Sequence, residues 1–170
     1  MIAYVEGDLL YSPHLVIAHG CNCFCTMGAG IAKQIARKYP QVLEADKQTK
    51  RGDPAKLGTF SKSVVPYRDI YNLYTQFTYG VGENHLDLDA LERSLTAMLI
   101  DVEATEKKLE LERGDFDIAI PMIGCGLAGG NWNDVEAILQ RVFRDRTIFV
   151  YTRSLLDVVK ARNPNVSECS

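Results

Sequence analysis

The chain has 170 residues, a formal net charge of −3, 46% hydrophobic residues and 24% charged residues, which suits one globular domain with a sizeable core. No apolar run approaches the roughly 20 residues that cross a bilayer. The acidic N-terminal segment lacks the basic region of a signal peptide, and no Lys/Arg cluster marks a nucleic-acid-binding face. Five cysteines without a secretory context predict reduced thiols. We therefore expect a cytoplasmic protein that does not contact a membrane.

The hydrophobic pattern predicts strands that alternate with helices along the chain. The predicted strands are residues 2–6, 15–20, 58–65, 69–75, 116–121 and 147–152. The predicted helices are residues 29–39, 41–51, 88–112, 131–145 and 155–160. The runs LVIAHG and FDIAIP are apolar almost throughout, which is typical of strands that are covered on both faces. This order predicts an α/β sandwich around a largely buried mixed sheet.

Two glycine-rich loops share one context, in which a buried strand ends and a helix begins. The first loop is MGAGI, residues 27–31, and the second is IGCGLAGG, residues 123–130. Glycine allows the backbone to approach a ligand closely, and the N-terminus of the following helix presents free N–H groups. The alternative is that these glycines only permit tight turns. That alternative is favoured for one loop alone, whereas two loops in the same context favour phosphate binding.

Asp8 ends the first predicted strand in the sequence GDL. Its carboxylate can accept a hydrogen bond from an exocyclic amine such as that of adenine. In isolation, however, the sequence favours a turn residue that binds its own backbone.

Three cysteines lie at alternate positions, Cys21, Cys23 and Cys25. Structural zinc sites usually combine two C-x₂₋₄-C pairs, whereas Cys125 and Cys169 are single. We therefore interpret the three cysteines as small buried side chains on one face of an extended segment, and we expect no metal.

Two histidines are candidates for proton transfer. His19 is close enough in sequence to serve a nucleophilic Cys21, but its place at the end of a buried strand is more typical of a core histidine. His85 lies in the glycine-flanked segment YGVGENHLD, where catalytic groups often occur, although a capping or exposed histidine is the favoured interpretation of this residue alone.

Taken together, GDLL, AHGCNCFCTMGAGIA, IPMIGCGLAGGNW and VYT resemble the macrodomain family, which binds ADP-ribose. The similarity covers about residues 2–152 and is strongest to the branch of ADP-ribose 1''-phosphate phosphatases and terminal ADP-ribose-protein glycohydrolases. It implies a three-layer α/β/α sandwich with a mixed, mostly parallel sheet. The macrodomain would cover residues 1–153, and residues 154–170 would form a C-terminal short helix and tail.

The resemblance also implies a role for each binding residue. Asp8 would contact the adenine amine with Leu9 beside it, and Tyr151 would lie where the last strand reaches the adenine. Asn22 would lie beside the distal ribose. The remaining predicted contacts to the ribose and the diphosphate are Gly28, Ala29, Gly30, Ile31, Thr75, Ile123, Gly124, Cys125, Gly126 and Leu127.

The sequence departs from the glycohydrolase pattern at two positions. Gln76 stands where that branch has a lysine after the fourth strand, and Ala128 stands where it has an aspartate after the second GCGL. Glutamine cannot form a Schiff base, and alanine cannot act as a base. The segment YTQFTYG is closer to the phosphatase pattern. The resemblance therefore implies hydrolysis of the phosphate of ADP-ribose 1''-phosphate.

The catalytic candidates for that reaction are Asn22, which would orient the ribose or a water, and His85 or His19, which would transfer a proton. We expect no cofactor, a small-molecule ADP-ribose derivative as partner, and nucleic acid only as an ADP-ribosylated substrate. Three alternatives stay open: an ADP-ribosyl hydrolase without the lysine and aspartate, a non-catalytic binder of ADP-ribose or a related nucleotide signal, and an unrelated thiol or metal protein.

Overall fold

The computed structural model describes residues 1–80, 84–126 and 128–164. In this part of the chain the strands are β1 (Ile2–Glu6), β2 (Val16–Asn22), β3 (Phe60–Val65), β4 (Arg68–Gln76), β5 (Ile118–Pro121) and β6 (Ile148–Thr152). The α-helices are α1 (Gly30–Lys38), α2 (Pro40–Lys47), α3 (Leu88–Lys108), α4 (Trp132–Val142) and α5 (Leu155–Arg162). Short 3₁₀ turns cover Leu9–Tyr11 and Pro54–Lys56.

The strands form one sheet in the order β1-β6-β5-β2-β4-β3. Four neighbouring pairs are parallel, and the pair of β3 with β4 is antiparallel. The carboxyl ends of the five parallel strands therefore meet at one edge of the sheet, which is where open α/β sheets bind ligands. The predicted α/β fold with a mixed, mostly parallel sheet is confirmed.

The sheet is covered on both faces, because successive side chains of a strand point to opposite sides. Ala18 of β2 packs in a core cluster with Leu95 and Met98 of α3 and Leu139 of α4. The adjacent Ile17 packs instead in a second cluster that contains residues of α1 and α2. The two clusters establish the three layers of the sandwich.

Helix α3 ends at Lys108, four residues before the predicted end. Glu110 has a φ of +57°, and the amide of Leu111 donates to the carbonyl of Glu106 at 2.9 Å, so the chain turns back over the last helical turn. The Glu106 carboxylate then accepts hydrogen bonds from the amides of Gly114 and Phe116. These tertiary contacts end the helix.

Within the described ranges, no helix is both long enough and apolar enough to cross a membrane.

Candidate functional site: a cavity between two glycine loops

A cavity of about 590 Å³ lies at the carboxyl edge of the parallel strands. Both glycine loops contribute to its walls, and so do the ends of β2 and β4. The described residues that line it are Gly20, Cys21, Asn22, Thr26, Gly28, Ala29, Gly30, Ile31, Ala32, Thr75, Gln76, Tyr79, Gly80, Pro121, Met122, Ile123, Gly124, Gly126 and Ala128. The predicted binding residues of the two loops are thus brought together, apart from Cys125 and from Leu127, which lies outside the described residues.

The first wall is built by the segment between β2 and α1. The side chain of Asn22 holds this segment, since its Oδ1 accepts from the Phe24 amide at 2.8 Å and its Nδ2 donates to the Thr26 hydroxyl at 2.8 Å. Ala29 precedes α1, and no described side chain caps the helix there. The first N–H groups of α1 are therefore available to an anion in the cavity.

The glycines of the loops fall into two structural classes. Gly124 has a φ of +79°, and a Cβ there would lie 2.5 Å from the Leu86 side chain, so the fold itself requires glycine. At Gly28 and Gly126, by contrast, φ is not positive. A Cβ at either position would have no described atom within 4 Å beyond its chain neighbours. These two glycines leave open space in front of the backbone, which is the property that close approach of a ligand requires.

Gly20 lines the cavity, although it was not among the predicted site residues. A Cβ at Gly20 would lie 2.8 Å from the Thr75 hydroxyl oxygen and 3.2 Å from the Ile123 side chain. Gly20 therefore allows β2, β4 and the second loop to meet beneath the cavity. Its position at the end of the apolar run LVIAHG was the only signal in the sequence.

Gln76 and Ala128, the two positions that depart from the glycohydrolase pattern, both line the cavity. The Gln76 amide donates to the carbonyl of Thr78 at 2.7 Å. No side chain among the described lining residues carries a formal charge near neutral pH. An anionic ligand in this part of the cavity would therefore be met chiefly by backbone N–H groups.

His19 lies in the core and does not line the cavity. It has no exposed surface, and its Nε2 is 2.7 Å from Oδ1 of Asn72. Burial lowers its pKa to about 4, so the imidazole is neutral near pH 7. The geometry thus favours the core interpretation over the catalytic one. Cys21 does line the cavity, but burial raises the pKa of its thiol well above the ordinary range, which disfavours a nucleophilic role.

His85 lies beside the cavity wall. Its amide donates to the carbonyl of Ala128 at 2.9 Å, and its Nε2 is buried without a hydrogen-bond partner in the described part of the chain. A Cβ at Gly80, a lining residue, would lie 3.3 Å from this nitrogen. An unpartnered imidazole nitrogen is thus separated from the cavity by one glycine.

The residues predicted for the adenine end do not line this cavity. Asp8 is exposed, and its Oδ1 accepts from the amide of Leu10 at 2.8 Å, which caps the first 3₁₀ turn. Leu9 and Tyr151 are buried, and the Tyr151 hydroxyl is 3.1 Å from Nε2 of His14. The turn interpretation of Asp8 is confirmed, and the predicted adenine contacts stay predictions.

The extended strand does not continue through all three cysteines, because β2 ends at Asn22, with a register shift after Cys21. Cys21 and Cys23 are buried against Tyr74, whereas Cys25 is half-buried with a φ of +56°. Burial raises the pKa of the Cys125 thiol to about 12. In the described ranges, no group of three or more His, Cys, Asp or Glu side chains could hold a metal ion.

Comparison with known proteins agrees with this architecture. A curated relative, the "Uncharacterized 17.5 kDa protein in tk-vs intergenic region" of Enterobacteria phage T4, is 40% identical over 146 residues, which are 82% of this chain and 88% of the relative. The ADP-ribose glycohydrolase OARD1 of Homo sapiens is 34% identical over 155 residues, covering 89% and 91% of the two chains. An ADP-ribose 1''-phosphate phosphatase of Debaryomyces hansenii is 29% identical over 177 residues, covering 89% and 98%.

The fold has a close counterpart among solved structures. The macrodomain of Mycobacterium tuberculosis DarG superposes with a TM-score of 0.69 over 91% of this chain and 99% of that one, at 24% identity. The family model of the Macro domain matches residues 18–139, which include most of β2, both glycine loops and most of α4. This chain therefore belongs to the Macro domain family.

Proposed function

We propose that this macrodomain binds ADP-ribose in the cavity and hydrolyses the phosphate of ADP-ribose 1''-phosphate. The observation that carries the proposal is the convergence of two glycine loops on one cavity, with glycine at 28 and 126 although the fold does not require it there. Because Gly28 and Gly126 carry no side chain, the backbone of each loop can approach a diphosphate closely, one loop from each side. The relatives named for ADP-ribose chemistry support the same ligand.

The size and polarity of the cavity support this ligand. Its volume of about 590 Å³ falls within the range of roughly 300–1,000 Å³ that is usual for small-molecule sites. The uncapped N-terminus of α1 offers N–H donors and a partial positive charge to the diphosphate. Helix polarity and backbone amides would supply the attraction that lysine or arginine supplies in other phosphate sites.

The choice of reaction depends on Gln76 and Ala128. Because neither side chain can form a covalent adduct with the ribose or act as a base, the cavity does not fit the chemistry that the resemblance implies for the glycohydrolase branch. Hydrolysis of a phosphomonoester requires hydrogen-bond donors for the phosphoryl oxygens, a positioned water and a proton for the leaving oxygen. Water would attack the phosphorus, and the bond from the phosphorus to the 1''-oxygen would break.

Two side chains are our candidates for the remaining tasks. Asn22 is held rigidly by Phe24 and Thr26 and would position the distal ribose or the attacking water. His85 would protonate the leaving oxygen, since its Nε2 lies behind Gly80 without another partner in the described residues. A change of its side-chain torsion angles would be needed to bring this nitrogen into the cavity.

A second candidate function is non-catalytic binding of ADP-ribose. The observation that favours it is the uncharged lining of the described cavity, which supplies no strong acid or base at the surface that a ligand would contact. An ADP-ribosyl hydrolase that works without the lysine and aspartate is the neighbouring enzymatic alternative.

Calorimetry and a turnover assay distinguish these functions. We expect ADP-ribose to bind with micromolar or tighter affinity and AMP to bind more weakly, because AMP lacks the second phosphate and the distal ribose. Equal affinities would contradict the two-loop site. Phosphate release from ADP-ribose 1''-phosphate, at enzyme concentrations far below substrate, would support the phosphatase. Tight binding without turnover of that compound, or of mono-ADP-ribosylated protein or nucleic acid, would instead support the binder.

A further inference from the structure

A cysteine and a buried lysine are in direct contact behind the first glycine loop. Nζ of Lys56 lies 3.3 Å from Sγ of Cys25. We propose that these side chains form a reversible covalent sulfur–nitrogen bridge, a sulfenamide, when the protein meets a peroxide. The bridge would be a modification site that lies next to the cavity without forming part of its lining.

The amine is held in place by its surroundings. Lys56 is 7% exposed, its Nζ donates to the carbonyl of Cys23 at 3.2 Å, and it lies 3.5 Å from Oδ1 of Asp46. The same nitrogen sits 4.3 Å from the centre of the Tyr74 ring. A nucleophile fixed at contact distance reacts far faster than a free amine in solution, because little orientational freedom remains to be lost.

The sulfur is the accessible partner of this pair. Cys25 is half-buried, whereas Cys21 and Cys23 are buried, so a small oxidant reaches Cys25 more readily than these two neighbours. Its Sγ contacts the carbonyl of Asp46 at 3.2 Å, and its backbone has a φ of +56°, a conformation that few residues other than glycine adopt. The tertiary structure therefore holds the thiol against the amine.

The chemistry balances with hydrogen peroxide as the oxidant. The peroxide transfers one oxygen to the Cys25 sulfur, which gives a sulfenic acid and one water, and the sulfur loses two electrons. Lys56 then gives up its ammonium proton, and its amine attacks the sulfur. The sulfur–nitrogen bond forms, the sulfur–oxygen bond breaks, and the hydroxyl leaves as a second water with a proton from the amine. An external thiol reverses the reaction by attack on the sulfur.

Asp46 is placed to accept the ammonium proton. Its Oδ1 already faces Lys56, and its Oδ2 is buried without a hydrogen-bond partner in the described part of the chain. Asp46 itself is 1% exposed. Protonation of this carboxylate would leave the neutral amine that the second step requires.

The bridge would be coupled to the cavity through the next residue. Thr26 follows Cys25 directly, lines the cavity and accepts hydrogen bonds from Asn22 through both its hydroxyl and its carbonyl. A covalent bond would pull Cys25 from contact distance towards Lys56, and Thr26 would move with it. We therefore expect the bridged protein to bind ADP-ribose more weakly than the reduced protein.

Mass spectrometry of the full chain after treatment with hydrogen peroxide tests the bridge. We expect the loss of two hydrogen atoms per chain, a cross-linked peptide pair that joins Cys25 to Lys56, and full reversal by dithiothreitol. A disulfide causes the same change of mass, so the peptide map decides between them. A disulfide between Cys25 and Cys23, or sulfinic acid at Cys25 with Lys56 unmodified, would overturn the proposal.

Trapping with dimedone, which labels sulfenic acids, gives a second readout. Lys56→Arg keeps a cation beside the sulfur but removes the nucleophilic amine, so Cys25 labelling should rise at least several-fold over the wild type. Lys50→Arg, at an exposed lysine, is the matched control and should label like the wild type. Equal labelling of all three proteins would contradict the bridge. If the fully bridged wild type binds ADP-ribose as tightly as the reduced protein, the coupling to the cavity is wrong.

Discussion

Substitution of Gly126 tests whether glycine is needed at this position of the second loop for ligand binding or for folding. A Cβ at this position would meet no described atom within 4 Å beyond its chain neighbours, and the backbone φ is ordinary. Gly126→Val should therefore change the free energy of unfolding by no more than about 1 kcal/mol, because its Cβ meets no described atom and the unfolded chain loses some conformational freedom. In the ligand-bound protein, however, the added methyl groups would occupy the space that the diphosphate needs.

The expected loss of affinity follows from the hydrogen bonds that the diphosphate would lose. A hydrogen bond to a charged group contributes about 1.5–3 kcal/mol, so displacement from one wall should weaken ADP-ribose binding by roughly tenfold to more than a hundredfold. Isothermal titration calorimetry with ADP-ribose measures this loss. Urea unfolding of the same preparation shows whether the fold is intact.

Gly124→Val is the matched control, two residues away in the same loop. Gly124 has a φ of +79°, and its Cβ would lie 2.5 Å from the Leu86 side chain. This variant should lose about 2–5 kcal/mol of stability from left-handed strain and overpacking together. If Gly126→Val unfolds like Gly124→Val, or binds ADP-ribose as the wild type does, the assignment of Gly126 to the ligand is refuted.

Three further predictions concern single side chains. Asp8→Ala should weaken ADP-ribose binding by about 1.5–3 kcal/mol if the carboxylate contacts adenine. Asp53→Ala is the control, because it removes the equivalent cap of the second 3₁₀ turn; its affinity for ADP-ribose, measured by calorimetry, should be unchanged. Equal losses of affinity in the two variants would contradict the contact between Asp8 and adenine. Burial lowers the pKa of His19 to about 4, so the unfolded chain takes up a proton on this imidazole at a higher pH than the folded protein does. As the pH falls from about 6.5 towards 4, the free energy of unfolding of the wild type should therefore decrease by up to about 3 kcal/mol. Urea titrations of His19→Gln should show a smaller loss over this range, and an identical pH profile would refute the assignment. His85→Ala should reduce phosphate release from ADP-ribose 1''-phosphate by roughly a hundredfold with little effect on ADP-ribose affinity. Asn22→Ala should reduce phosphate release as strongly and should also weaken ADP-ribose binding, because its side chain holds the first wall through Phe24 and Thr26. A normal rate in either variant would remove that residue from the mechanism.

Local pattern was sufficient to predict much of the fold. The runs around Ile17 and Ile120 predicted buried strands because continuous apolar sequence is stable only where both faces are covered. The periodicity from Leu88 to Val102 predicted α3 because residues on one helical face recur every three or four positions. The end of α3 was misplaced by four residues, since it depends on contacts of Glu106 with a segment that is eight to ten residues away along the chain.

Sequence pattern alone predicts two glycine loops that follow buried strands, and the resemblance to macrodomains implies that Gln76 and Ala128 replace a lysine and an aspartate of the glycohydrolase pattern. Which glycines the fold requires depends on tertiary packing, because Leu86 contacts Gly124 from a separate segment and leaves the space before Gly126 open. Tertiary packing also buries His19 against Asn72. His19 therefore does not line the cavity, although the residues that follow it in sequence do. Strand direction and packing set the side on which a side chain lies, and both depend on residues that are distant in the chain.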